Sequence, residues 1–169
     1  MPPRHRIFVS KDVLKFSSAH MTVFPDGTKE RLHGHNFQVQ LEFELHTTRL
    51  ASLLDFGIVK QTLAQVCGRW DQRLLVGTRC PAFELVRQAD HEVEFKLCGK
   101  RYVVPAEELV LLPLENVVVE TLAEEMAFVL VEQLGSVLKR EVVAAMVVTI
   151  SESAGQGGSY RWEWEPRGG

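Results

Sequence analysis

Apolar and polar residues alternate with scarcely a fault from Asn36 to Leu45. The odd positions read Phe37, Val39, Leu41, Phe43 and Leu45, and the even ones Asn36, Gln38, Gln40, Glu42 and Glu44. A period of two marks a strand with one buried face. Side chains two apart share a face, so His33 and His35, at the head of this stretch, fall on the parity that turns toward the interior. Upstream, Leu14, Phe16, Ser18 and His20 share one parity at the end of a strand predicted over Arg6–His20. Its weaker alternation earlier on predicts a bulge. The segment between the two strands carries Pro25, Asp26 and Gly27, a turn signal that predicts an antiparallel hairpin.

Beyond the hairpin the period changes to that of helices. Phe56, Val59, Leu63, Val66, Cys67 and Trp70 recur at three and four residues, as do Val119, Leu122, Met126, Val129, Leu130 and Leu134, with Gly135 as the stop. Asp55 stands where it would cap the first of these helices. Between them Val93, Phe95 and Leu97 alternate before a Cys98-Gly99-Lys100 turn and a second run, Arg101–Val104, which reads as a hairpin insertion over about 76–112. The chain closes with "VVAAMVVTISES" and "SYRWEWE", two strands around a Gly-rich turn, the last with Tyr160, Trp162 and Trp164 on one face. The expectation is an α+β fold of order ββααββ. It has an antiparallel four-stranded sheet, two helices on one face and the hairpin insertion between the helices.

The 169 residues, 46% of them apolar and 24% charged, suit a single domain spanning 1–169 with one sizeable core. A net charge of −3 without a long basic run argues against a nucleic-acid surface. The first residues show neither a signal peptide nor a membrane span, so the expected location is the cytoplasm. Cys67, Cys80 and Cys98 are odd in number and lack CxxC pairing, which disfavours a disulfide framework and a thiolate zinc site.

Histidine is where the chemistry gathers. Catalytic zinc sites take three protein ligands and keep a position open for water or substrate. His33 and His35 would supply two, and His20, ending the neighbouring strand on the same face as Phe16 and Ser18, a third across the hairpin. Imidazole ligands favour Zn²⁺, although iron, nickel or copper have overlapping preferences. His5 at the terminus, His46 on a polar parity and His91 among charges read as solvated side chains.

The ordered set "FSSAH", "ExxHGHNF", "LLDFGIVK", "RWDQRLL", "ENVVVETLAEEMA" and "TISESAGQGGSY" resembles the landmarks of the 6-pyruvoyltetrahydropterin synthase and 6-carboxytetrahydropterin synthase family. The resemblance covers nearly the whole chain apart from the insertion. It implies the tunnelling fold, in which subunits form a trimeric barrel and two trimers stack into a hexamer with sites between subunits. It also implies zinc on His20, His33 and His35, a small-molecule pterin substrate whose ring is held by Glu152, and a further substrate contact at Glu120. In the family a threonine near the start of the second helix usually joins that contact. Here Val117, Val118 and Val119 precede Glu120, and the hydroxyl is missing.

Two departures concern proton transfer. The family's cysteine upstream of HGH falls on Lys29, and the histidine of its Asp-His pair is Gln72, following Asp71. Glutamine orients but does not titrate. Lys29 serves as a base only with a pKa well below about 10.4. Glu30 is the alternative base, because its "ExxHGH" spacing resembles a branch in which glutamate replaces the cysteine. Three readings follow. The leading one is a zinc-dependent pterin lyase acting on dihydroneopterin triphosphate or a relative, with Glu30 or Lys29 and Asp71 moving protons. The others are a glutamate-based enzyme forming 6-hydroxymethyldihydropterin for folate synthesis, and a catalytically silent pterin- or purine-binding protein.

Overall fold

The computed structural model describes residues 5–50 and 53–165. Strand β1 (His5–His20) pairs antiparallel with β2 (His33–Leu45), and its register shifts between Ser10 and Lys15, the bulge that the faltering alternation announces. On the far side of β2 lies β8 (Val143–Ser153), and beyond it β9 (Gln156–Glu163), both antiparallel. Helices α1 (Phe56–Trp70) and α2 (Val119–Leu134) pack against this sheet with the apolar stripes that their periodicity defines. Phe16, Phe37, Leu41 and Phe43 from the sheet and Leu63, Leu122, Met126 and Leu130 from the helices are fully enclosed at that contact. Asp55 caps α1 by accepting from the N–H groups of Gly57 and Ile58 at 2.9 and 3.1 Å.

The sheet has six strands where four are expected, in the order β7-β3-β1-β2-β8-β9. The two additional strands, β3 (Arg73–Gly77) and β7 (Leu109–Leu112), are the ends of the insertion, and they run parallel, β3 beside β1 and β7 beside β3. "RLLVG" and "LVLL" escape a search for alternation because parallel strands covered on both faces read as continuous apolar runs. What lies between them is also more than a hairpin. β4 (Phe83–Gln88), β5 (Glu92–Leu97) and β6 (Lys100–Pro105) form an antiparallel meander, with β5 in the middle. The turn at Cys98-Gly99 joins β5 to β6, whereas β4 is exposed along most of its length and shows no apolar rhythm.

The meander has a hydrophobic cluster of its own. Met21, Leu74, Val76, Cys80, Phe95 and Leu97 are buried together, with Tyr102 and Phe83 packed against them. Met21 and Leu74 tie this cluster to the end of β1 and the start of β3, so the insertion sits beside the histidine end of the β1–β2 hairpin. Among the described residues no helix is long and apolar enough to cross a membrane.

Candidate metal centre and its flanking carboxylates

The last rungs of the first hairpin bring the histidines together. His20 is the register partner of His33, Ala19 of Gly34 and Ser18 of His35. Ring centroids lie 4.7 Å apart for His20 and His33, 5.3 Å for His20 and His35, and 4.9 Å for His33 and His35. One ligating atom from each residue lies within 4.8 Å of the other two. The intervening glycine has a steric reason, since a Cβ at Gly34 would meet the Ser18 carbonyl oxygen at 3.1 Å across the strand pair.

Backbone carbonyls set the tautomers. His20 Nδ1 lies 2.8 Å from the Val117 oxygen, and His33 Nδ1 lies 2.8 Å from the Arg31 oxygen. A carbonyl only accepts, so each Nδ1 carries the proton and each Nε2 presents its lone pair. His20 is only 3% exposed, and its Nε2 is buried with no hydrogen-bond partner among the described residues. A buried polar atom left so costs about 1–3 kcal/mol. Burial chiefly, then the neighbouring His33 and His35, holds the His20 pKa below its ordinary value, against the opposing pull of the Val117 carbonyl. The ring is therefore neutral and ready to ligate. Three imidazoles, one with an orphaned inward nitrogen, fit a zinc ion with a free coordination position.

Two carboxylates flank the triad. Glu30 Oε2 stands 3.9 Å from His33 Nε2, and Glu152 Oε2 stands 3.9 Å from His35 Nε2. Glu30 is fixed by reciprocal bonds to one residue: its N–H donates to the Thr22 oxygen at 2.9 Å, and its Oε2 accepts from the Thr22 N–H at 3.3 Å. The Thr22 hydroxyl chiefly, then the Thr22 N–H, holds the Glu30 carboxyl below the usual carboxylate range, against the opposing effect of burial. Glu152 closes the end of β8, where the Gln156 side-chain amide donates to it.

The other sequence-derived candidates stand apart from the rings. Lys29 Nζ donates to the Glu30 carbonyl at 3.0 Å and lies 3.3 Å from Met21 Sδ, with the Tyr102 ring centroid 5.4 Å away. Asp71 follows the last turn of α1, and its Oδ1 accepts from the Ser17 N–H at 2.7 Å. Glu120 opens α2 and is exposed. No hydrogen bond or ion pair among the described residues joins Lys29, Asp71 or Glu120 to the triad. Gln72, which follows Asp71, has a positive φ of 54°. It lines a cavity of about 640 Å³ together with His35, Asn36, Arg73, Val104 and Glu108, so the insertion supplies one wall of the space beside the triad.

Sequence reasoning passes over Asn116. Its side chain clamps the backbone of Val23, accepting from the N–H at 3.0 Å and donating to the oxygen at 2.9 Å, and so joins the turn after β1 to the approach of α2. An asparagine in the loop leading into a helix is the local signal that points to such backbone bonding. Thr121 caps the start of α2: its hydroxyl receives the Val118 N–H at 3.2 Å and donates to the Asn116 oxygen at 2.7 Å.

A sheet backed by two helices, with three histidines converging at one hairpin end and carboxylates on either side, defines an α+β domain with a site that could hold a metal ion and leave it a free position. The chain belongs to the 6-pyruvoyl tetrahydropterin synthase family, whose profile matches residues 9–163. A Methanocaldococcus jannaschii protein, provisionally named 6-carboxy-5,6,7,8-tetrahydropterin synthase, is 31% identical over 88% of this chain and 90% of its own. A Pyrococcus horikoshii protein with the same provisional name is 28% identical over 81% of this chain and 80% of its own. The crystal structure of a Plasmodium vivax 6-pyruvoyl tetrahydropterin synthase superposes with a TM-score of 0.85 at 24% identity, covering 95% of this chain and 98% of that one. That likeness carries the fold. The chain is thus a synthase- or lyase-like enzyme of this family.

Proposed function

We propose that the protein is a zinc-dependent lyase acting on dihydroneopterin triphosphate or a closely related pterin, in the manner of a 6-carboxytetrahydropterin synthase. The observation that carries this reading is the orphaned Nε2 of His20, aimed into a triad with Glu30 on one side and Glu152 on the other. His20, His33 and His35 would hold the metal, which when bound polarises oxygens of the substrate side chain. Glu152 accepts from the amino and N–H edge of the pterin ring, a pairing that suits the two parallel acceptors of a carboxylate. That anchoring places the side chain of the substrate at the triad.

Proton transfer falls to Glu30. It is ionised at neutral pH, held by Thr22 and 3.9 Å from His33 Nε2. Lys29 Nζ is turned to the Glu30 carbonyl, the Met21 sulfur and the Tyr102 face, away from the triad, which leaves it out of place for a basic role. Asp71 and Glu120 would act from an adjoining subunit in a homotrimeric or hexameric assembly, Asp71 as a proton relay and Glu120 as a further substrate contact.

A second reading shares the site. A glutamate beside the metal suits retro-aldol cleavage to 6-hydroxymethyldihydropterin, and two Plasmodium vivax structures of this fold are described as variants of a catalytic glutamate. The deciding experiment is incubation of the zinc-loaded protein with dihydroneopterin triphosphate, followed by separation of the products by mass. A carboxy or pyruvoyl pterin supports the first reading and 6-hydroxymethyldihydropterin the second. Unchanged substrate with tight pterin binding removes both in favour of a silent binding protein.

A further inference from the structure

The residue that takes the place of the family's cysteine, Lys29, is half-buried and makes no bond to the histidines. Its ammonium points back toward the insertion. There the Tyr102 ring presents its face at 5.4 Å, and Tyr102 in turn is stacked on Phe95, with centroids 5.2 Å apart and planes 15° from parallel. Phe95 is fully buried at the centre of the meander's cluster. The Tyr102 ring is therefore backed by a fully enclosed side chain of that cluster and cannot easily swing away.

From Lys29 the contacts lead to the triad. The same ammonium donates to the carbonyl of Glu30, 3.0 Å away, and rests against Met21 Sδ, which belongs to the same cluster. Lys29 is bridged to Val23, and Glu30 is bonded twice to Thr22, so the two residues form a short antiparallel clip over the end of β1. The last atom of this chain of contacts, Glu30 Oε2, stands 3.9 Å from His33 Nε2. A cation over an aromatic face is a directional contact, and it gains strength where water is partly excluded.

We propose that the insertion is a brace for the active site: Tyr102 on β6 holds Lys29, and Lys29 holds the peptide of Glu30, so that the glutamate's carboxylate is set beside the metal-binding histidines. Tyr102 and Lys29 are positioning residues, and the inference rests on the reading of Glu30 as the proton-transfer group. It gives the insertion a task. It also explains how one substitution at the cysteine position is tolerated, because lysine there supports the carboxylate next in sequence instead of acting itself. Displacing a proton-transfer group by about an ångström is enough to cost one to two orders of magnitude in rate.

The test uses the zinc-loaded full chain with dihydroneopterin triphosphate. Tyr102→Leu and Lys29→Met should each lower kcat on the order of tenfold, with KM and zinc content held within about twofold. Tyr102→Phe, which keeps the ring face, should stay near wild type. Because both residues act through one contact, the double variant Tyr102→Leu with Lys29→Met should be no slower than either single one. Independently of turnover, hydrogen exchange at the Glu30 amide should quicken in both single variants and not in Tyr102→Phe.

Several results would overturn the brace. These are an unchanged kcat and unchanged Glu30 exchange in Tyr102→Leu, a loss in Tyr102→Phe as deep as in Tyr102→Leu, or losses that multiply in the double variant. Should Tyr102→Leu fail to fold, Lys29→Met carries the same test from the surface side. Should the wild type leave the pterin untouched, Glu30 loses its assigned role, and the exchange measurement alone decides whether Tyr102 fixes the clip.

Discussion

The ring of His20 donates through Nδ1 to the main-chain oxygen of Val117 across 2.8 Å, a contact that spans 97 positions of the chain and ties the end of β1 to the approach of α2. A metal ligand is thereby also a structural bond.

Histidine replacement should accordingly separate the two roles. His20→Ala and His33→Ala should both abolish one-to-one zinc binding in a competition titration, since each removes a third of the donor set. In zinc-free protein, however, His20→Ala should lower the unfolding free energy by about 1–3 kcal/mol, because the lost donor to a buried carbonyl and the cavity left by the ring outweigh relief of the unpaired Nε2. His33→Ala, at a site 37% exposed on its side chain, should cost less than about 1 kcal/mol. Equal urea midpoints for the two variants would show that the Val117 bond contributes nothing.

Stability of the zinc-free protein should fall as the pH is lowered, in two stages. The His20 pKa lies below its ordinary 6.5, so the ring is neutral in both states at higher pH and contributes no slope there. As the pH drops through 6.5 the unfolded chain takes up a proton that the folded site refuses, and stability declines. Glu30, held below its ordinary 4.5, adds a second decline under that pH, where the unfolded carboxylate protonates first. Urea midpoints between pH 8 and pH 4 measure this, and His20→Asn should flatten the first stage alone. Protons also compete with zinc for imidazole nitrogen, so metal affinity should weaken as the pH falls.

The glycines of "GQGGSY" are places of close approach. A Cβ at Gly158 would meet the Glu120 nitrogen at 2.9 Å and its Cα at 3.1 Å, and one at Gly157 would meet the Ile150 oxygen at 2.7 Å. Both neighbours include backbone that cannot rotate aside. Gly158→Ala should therefore push the first turn of α2 off β9, at a cost of about 1–3 kcal/mol, and should weaken pterin affinity if Glu120 contacts the substrate. Calorimetric unfolding and pterin titration check the two effects separately.

Asp71 offers a contrast between shape and charge. Asp71→Ala leaves the Ser17 N–H without its acceptor and should lower stability by about 1–3 kcal/mol. Asp71→Asn keeps an acceptor oxygen at the same place and should cost less than about 1 kcal/mol, yet a role in proton relay predicts a fall in kcat on the order of a hundredfold. Full activity in Asp71→Asn would reduce the residue to a fastener for β1.

The elements legible in the sequence are those whose burial is one-sided. β1, β2, β8, β9, α1 and α2 each turn a single face to the same core, and so each carries a period. The histidine cluster was readable for the same reason, because parity alone put His20, His33 and His35 on one side of one hairpin. β3 and β7 were hidden because covering both faces erases the rhythm, and β4 because exposure of both faces does so too. The contact of Lys29 with Tyr102 was illegible on different grounds. Nothing local distinguishes a lysine in a charged turn from one aimed at a ring that a later strand of the insertion brings to it. The Asn116 clamp on Val23 belongs with it, as a partnership between two loops that only the assembled sheet brings within reach.

Because β3 and β7 are rungs of the main sheet, the added segment has no stalk at which it could be clipped off. Shortening the protein is feasible only between Gly77 and Leu109, and because β3 and β7 run parallel, what remains there must still cross from one end of the pair back to the other. Cutting outside those points would expose the flank of β1 at Ser18 and Ala19 as a raw edge, open to pairing with stray chains. A trimmed protein made the first way should stay monodisperse, and one made the second way should precipitate.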